Sequence, residues 1–104
     1  MRPSKKLLQK IIKALAPYKP QKIILFGSAA SGKWRRGSDI DLLIIKKTSK
    51  PHTERVWEIQ DFLFDKVDVP VDVVVYAPEE FEWAKKIKSV FIEEILEKGK
   101  VIYG

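Results

Sequence analysis

The chain contains no cysteine and a single histidine among its 104 residues. Without thiols it can build neither a disulfide framework nor a thiolate metal site, and one imidazole does not make a zinc centre. That histidine, His52, stands between Pro51 and Thr53 in a polar stretch and reads as a loop residue rather than a ligand. Asparagine is also absent and glutamine occurs only three times, whereas lysine, glutamate and isoleucine abound. Such a balance leans towards a thermophile, in which lysine enrichment serves stability. Long apolar runs are missing too. The longest uncharged one, Val73 to Pro78, falls far below the roughly 20 residues that cross a bilayer. No signal-peptide pattern is visible. A cytoplasmic protein without a membrane partner is the expectation.

What is present describes one globular domain over residues 1–104, with 45% hydrophobic and 33% charged residues supporting one core and not two. The net charge of +6 raises the question of nucleic acid. The lysines, however, are scattered over both ends (Lys5, Lys6, Lys10 and Lys13; Lys85, Lys86 and Lys88), and no RNA-reading aromatic motif accompanies them. A solvated lysine-rich surface explains them, and extended nucleic-acid binding is not expected.

Ser4 can cap a helix in which Leu7, Leu8, Ile11, Ile12 and Leu15 recur with helical period, ended by Pro17 and Pro20. "KIILF" (Lys22 to Phe26) reads as a buried strand, and Gly27-Ser28 opens a turn or short helix that stops near Gly32. "DIDLLII" (Asp39 to Ile45) is a second strand, followed by a polar linker to His52. A second helix from Thr53 turns Val56, Ile59, Phe62 and Leu63 inward, and "VPVDVVVY" (Val69 to Tyr76) is a third strand, with Pro70 only at its start. Pro78 suits the first turn of another helix, a break falls near Lys88-Ser89, and Gly99 stops the last helix before a short edge strand, "KVIYG". This order predicts an α/β (α+β) fold with a small sheet flanked by helices. The dozen residues between Phe26 and Asp39 are few for a parallel crossover, so the sheet should be mixed.

Aspartate is depleted from strands, yet Asp39 and Asp41 are two residues apart and share a face with Leu43 and Ile45. At about 5–7 Å, in a partly shielded site, two such charges repel by roughly 2–3 kcal/mol. A bound divalent cation with hard oxygen ligands would turn that penalty into affinity; a raised carboxyl pKa with a shared proton is the alternative. Asp72 interrupts an otherwise apolar strand. Singly, Asp39 can end the turn "RRGSD" and Asp72 can face water from an edge strand, but all three together favour a common centre. Gly27 allows the backbone to turn and approach a ligand closely, and Ser28 adds a hydroxyl and an amide suited to phosphate. Lys33, Arg35 and Arg36 make the following loop cationic.

Gly27-Ser28, ten intervening residues, Asp39-Ile40-Asp41 and the later Asp72 resemble the DNA polymerase beta-like nucleotidyltransferase superfamily, and within it the minimal nucleotidyltransferases (MNT). The resemblance runs from the helix before "KIILFGS" to "ILEKGKVIYG". It implies the polymerase beta-like fold and transfer of a nucleoside monophosphate, AMP from ATP, with two Mg²⁺ ions. By this likeness Asp39, Asp41 and Asp72 are metal-binding and catalytic, and Gly27, Ser28 and Arg35 bind the nucleotide. Ala30 and Gly32 fit the family's loop, while Ser31 stands where a basic residue is frequent. Members of the branch are often paired with a HEPN-domain protein, a ribonuclease toxin. The resemblance therefore implies an antitoxin that adenylylates a hydroxyl of such a partner. Two other readings remain open: an antitoxin that acts mainly by binding, and transfer to a small molecule or an RNA end. Trp83 and Phe81, rimmed by Lys85, Lys86 and Lys88, are candidates for the partner's contact surface, with core packing the competing role, more so for Phe81.

Overall fold

The computed structural model describes every residue from Met1 to Gly104. Ser4 caps the first helix through its Oγ, which accepts the Leu7 N–H at 3.1 Å, and α1 runs over Lys5–Leu15. Pro17 does not end the coil at once. It suits the first turn of a helix, so a 3₁₀ turn over Ala16–Tyr18 prolongs α1 until Lys19 takes a left-handed φ of 59°. The remaining elements are β1 (Lys22–Phe26), α2 (Ser28–Ser31), β2 (Ile40–Ile45), α3 (His52–Leu63), β3 (Val71–Tyr76), α4 (Pro78–Lys86), α5 (Val90–Lys98) and β4 (Lys100–Tyr103).

The sheet has the order β3-β2-β1-β4. β1 runs antiparallel to β2 and β4, while β2 and β3 are parallel. The mixed sheet follows from connection length: the short link after β1 returns the chain antiparallel, and α3 provides the crossover that parallel pairing needs. Alternation splits the core in two. Ile23, Leu25, Ile40, Leu42, Ile44, Val73 and Val75 face α1 and α3, meeting Ile11, Leu15, Ile59 and Leu63. On the other face Ile24, Leu43 and Ile45 meet Phe81 and Ala84 of α4 and Ile92 and Ile95 of α5.

Several boundaries differ from the sequence reading. β2 begins at Ile40, leaving Asp39 just outside it, and β3 begins at Val71, although the Pro70 carbonyl still accepts the Ile40 N–H at 2.9 Å. His52 is no linker residue: it is the first residue of α3, with Nε2 3.8 Å from a Glu80 carboxylate oxygen. Gly99 does stop α5, but with an ordinary φ of −74°. A Cβ there would collide with the Ile95 carbonyl and crowd the backbone of β1, so packing rather than handedness requires the glycine. Phe81 and Trp83 part company. Phe81 is 7% exposed beneath the Lys85 ammonium, whereas Trp83 is 61% exposed.

Candidate functional site

β1 ends where β2 and β3 begin. The register pairs Phe26 with Asp41 and Asp41 with Asp72, so the glycine turn and two of the carboxylates lie side by side at one end of the sheet. Neighbouring strands put the Asp41 and Asp72 backbones roughly 5 Å apart. Asp39, exposed, immediately precedes this end of β2. Its loop is pinned by a residue the sequence reading did not single out: Trp34 is buried and donates its indole N–H to the Ser38 carbonyl at 3.1 Å.

Gly27 closes β1 with φ 68° and ψ −151°, backbone that is costly for any residue with a side chain. A Cβ there would also overlap Asp41 Oδ2. The glycine is thus required twice, by its dihedrals and by the carboxylate lying against it. Ser28 starts α2 and is half-buried. Lys33, Arg35 and Arg36 are exposed on the loop to β2, and the Arg35 carbonyl accepts the Ser38 N–H at 2.9 Å. The structure therefore brings Gly27, Asp39, Asp41 and Asp72 together, with Ser28 adjoining them and the Arg35 side chain reaching towards solvent.

The electrostatics of this end are unrelieved. Burial pushes the Asp41 carboxyl above the usual aspartate range, and the charges of Asp72 and then Asp39 push it further. None of the three takes part in an ion pair. They do not close into a preformed cation cage; like charges without a counterion have no reason to converge. Their donor chemistry, all hard oxygen in an open arrangement, nevertheless suits Mg²⁺.

At the opposite end of β3 lies a second charged group that the sequence reading missed. Arg55, 5% exposed, donates to the carbonyls of Lys50 and Val75 and to Glu80 Oε1, at 2.6, 3.1 and 2.6 Å. Glu80 also accepts the Ala77 N–H at 2.6 Å, completing the N-terminus of α4. The signal was present in the periodicity, since Arg55, Ile59 and Leu63 lie four residues apart on the buried stripe of α3.

A four-stranded mixed sheet with a glycine turn facing strand-borne aspartates defines a nucleotidyl-transfer class of protein. The family model described as Nucleotidyltransferase domain matches residues 5–102, and the chain belongs to that family, an enzyme family. Over 83 residues it is 37% identical to MJ0604 of Methanocaldococcus jannaschii, named as a candidate protein adenylyltransferase, covering 80% of this chain and 78% of that protein. Over 97 residues it is 31% identical to the protein adenylyltransferase MntA of Shewanella oneidensis, covering 91% of this chain but only 63% of MntA. A crystal structure of a toxin–antitoxin with AMP-PNP superposes with a TM-score of 0.67 at 30% identity, covering 93% of this chain and 73% of that one. The expected fold is borne out by these likenesses. No helix is long and apolar enough to cross a membrane.

Proposed function

We propose that residues 1–104 act as one nucleotidyltransferase domain that moves AMP from ATP to a hydroxyl of a partner protein, with Mg²⁺ bound by Asp39, Asp41 and Asp72. The observation that carries this reading is the Asp41–Asp72 pairing in register, against a Gly27 whose missing side chain makes room for the carboxylate. When bound, the metal would lower the charge barrier at phosphorus. Gly27 and Ser28 bind the phosphates, and Arg35 supplies a further cation to them. Asp72, on the edge strand, orients the acceptor hydroxyl and takes up its proton.

The relatives support the choice of a protein partner. MntA is named a protein adenylyltransferase, and a superposable chain belongs to a toxin–antitoxin. The present chain is accordingly read as the antitoxin of a HEPN/MNT pair acting in the cytoplasm. Exposed Trp83 remains the candidate for the partner's contact surface, whereas Phe81 is occupied in the core. The test is mass spectrometry of a HEPN-type partner protein after incubation with this protein, ATP and Mg²⁺. A gain of one AMP or a multiple is the expected result. An unmodified but neutralised partner would establish the binding-only antitoxin, and AMP on a small molecule or RNA end alone would move the acceptor class.

A further inference from the structure

The first 38 residues carry ten basic side chains and no acidic one, so every carboxylate side chain lies from Asp39 onwards. Charge divided so unevenly along a chain points to a polyanionic partner. Strung out in the sequence, the lysines read as a solvated surface, but the fold gathers four of them. Lys6, Lys10 and Lys13 recur at helical spacing on one exposed face of α1. Lys66, from the loop between α3 and β3, joins Lys10, Lys13 and Ala14 around a groove of about 390 Å³. We propose that this groove and the row of lysines leading to it bind the phosphodiester backbone of a nucleic acid. The inference goes beyond the adenylylation reading and does not depend on it.

The four ammonium groups are uncompensated. α1 contains no acidic residue, and none of the four lysines takes part in an ion pair. Lysines elsewhere differ: Lys50 is paired with Glu58 at 3.0 Å and Lys85 with Glu82 at 2.8 Å. The loop that carries Lys66 sorts its own charges. Asp65 takes a left-handed φ of 63°, and Asp61, Asp65 and Asp68 line a separate cleft beside Phe64, while Lys66 shares its groove with α1. At 1.5 Å of rise per residue the row from Lys6 to Lys13 extends about 10 Å. That length matches about three phosphates of one duplex strand, at roughly 3.4 Å each along the axis.

The make-up of the surface separates a nucleic acid from other anions. Protein interfaces favour aromatic residues, methionine and arginine and are depleted of lysine, whereas this groove offers three lysines and an alanine. An anionic membrane would need a helix with a free apolar face. The apolar face of α1 is spent: Ile11, Ala14 and Leu15 are buried in the core, and Leu7 and Leu8 pack against it. No aromatic ring lines the groove on which a base could stack. Recognition is therefore of the backbone, indifferent to sequence and sensitive to salt. α1 covers the sheet face opposite α4 and α5, so a protein docked at Trp83 leaves the lysine groove free.

The experiment is fluorescence-anisotropy titration of the folded protein with a labelled single-stranded RNA and a labelled DNA duplex, repeated from about 50 to about 200 mM salt. Four phosphate contacts predict a slope of log affinity against log salt of about −3 for the single strand and about −4 for the duplex. Affinity should thus fall by roughly a hundredfold across the range. Lys10→Ala, Lys13→Ala and Lys66→Ala should each make the slope shallower by about 0.7–0.9, with AMP transfer to a protein acceptor unchanged. A double variant, Lys86→Ala with Lys88→Ala, removes more charge away from the groove and should leave the slope as it is. An equal loss in that control would mean diffuse attraction rather than a site and would overturn the proposal. So would a wild type that binds neither nucleic acid at the lowest salt. Anionic vesicles or an acidic peptide bound through the same lysines, with nucleic acid ignored, would overturn it in favour of a membrane or an acidic protein. Nucleic-acid binding with the expected pattern in a protein that adenylylates nothing would retire the transfer reading and keep this one.

Discussion

At the start of β3, Asp72 lies beside Asp41 and neither takes part in an ion pair. At its end, the buried Arg55 guanidinium donates to Glu80 and to the Val75 carbonyl, and Glu80 also accepts the Ala77 N–H. The carboxyls respond in opposite directions. Glu80 is held below the ordinary glutamate range, chiefly by its hydrogen bond from Arg55, while Asp41 is lifted above the aspartate range by burial and by its acidic neighbours. One cluster is charge used up in joining α3, β3 and α4. The other keeps its charge uncompensated, which lowers stability and leaves it available to a cationic ligand.

Neutralising the unsatisfied end separates the two clusters most sharply. Asp39→Asn, Asp41→Asn and Asp72→Asn should each lower AMP transfer by about a thousandfold or more, the scale of an essential electrostatic contact. Their unfolding midpoints should stay within about 1 kcal/mol of wild type. Turnover assays beside denaturant titrations check this, and near-normal turnover in any one variant breaks the shared-site assignment.

Gly27→Ala comes next. It places a side chain in unfavourable backbone, costing about 1–3 kcal/mol, and drives it into the Asp41 carboxylate. Transfer should fall by about a hundredfold or more, because misplacement of a reacting group by an ångström has that effect. A variant of normal activity would show that the contact between Gly27 and Asp41 is dispensable.

The satisfied end should answer the other way. Arg55→Ala leaves Glu80 without its main donor and empties a buried volume, so it should destabilise by about 3 kcal/mol. The folded fraction should retain its ATP affinity, measured by equilibrium titration. A harmless Arg55→Ala would mean that the clamp is ornamental.

The smallest effect is on pH dependence, and here the signs differ. Glu80 has a lowered folded pKa, so its stabilisation is complete above the unfolded value of 4.5 and is lost as pH falls through the folded one. Asp41 has a raised folded pKa. Between 3.8 and that raised value the folded state holds more protons than the unfolded, so stability declines as pH rises through this window. Glu80→Gln should therefore flatten the acid limb of the stability curve, and Asp41→Asn should remove the decline on its alkaline side. Urea titrations from pH 3 to 7 resolve the two, and Mg²⁺ should suppress the Asp41 component alone.

The element order, the mixed sheet, the Ser4 cap, the Pro78 helix start and the Gly99 stop were legible in the sequence, because each rests on local chemistry or on the length of a connection. So were Gly27, Asp39, Asp41 and Asp72 as a candidate centre, since aspartates in an apolar strand context contradict their surroundings. The chain alone could not tell that Asp41 and Asp72 are cross-strand partners, that Trp34 holds the loop before Asp39, or that Arg55 and Glu80, 25 residues apart, join across α3 and α4. Nor could it separate buried Phe81 from exposed Trp83, or bring Lys66 to the same groove as Lys10 and Lys13. Periodicity and propensity report what a residue does with its near neighbours. Register, burial and charge pairing depend on which distant segments the sheet and its helices bring into contact, and only the tertiary structure decides that.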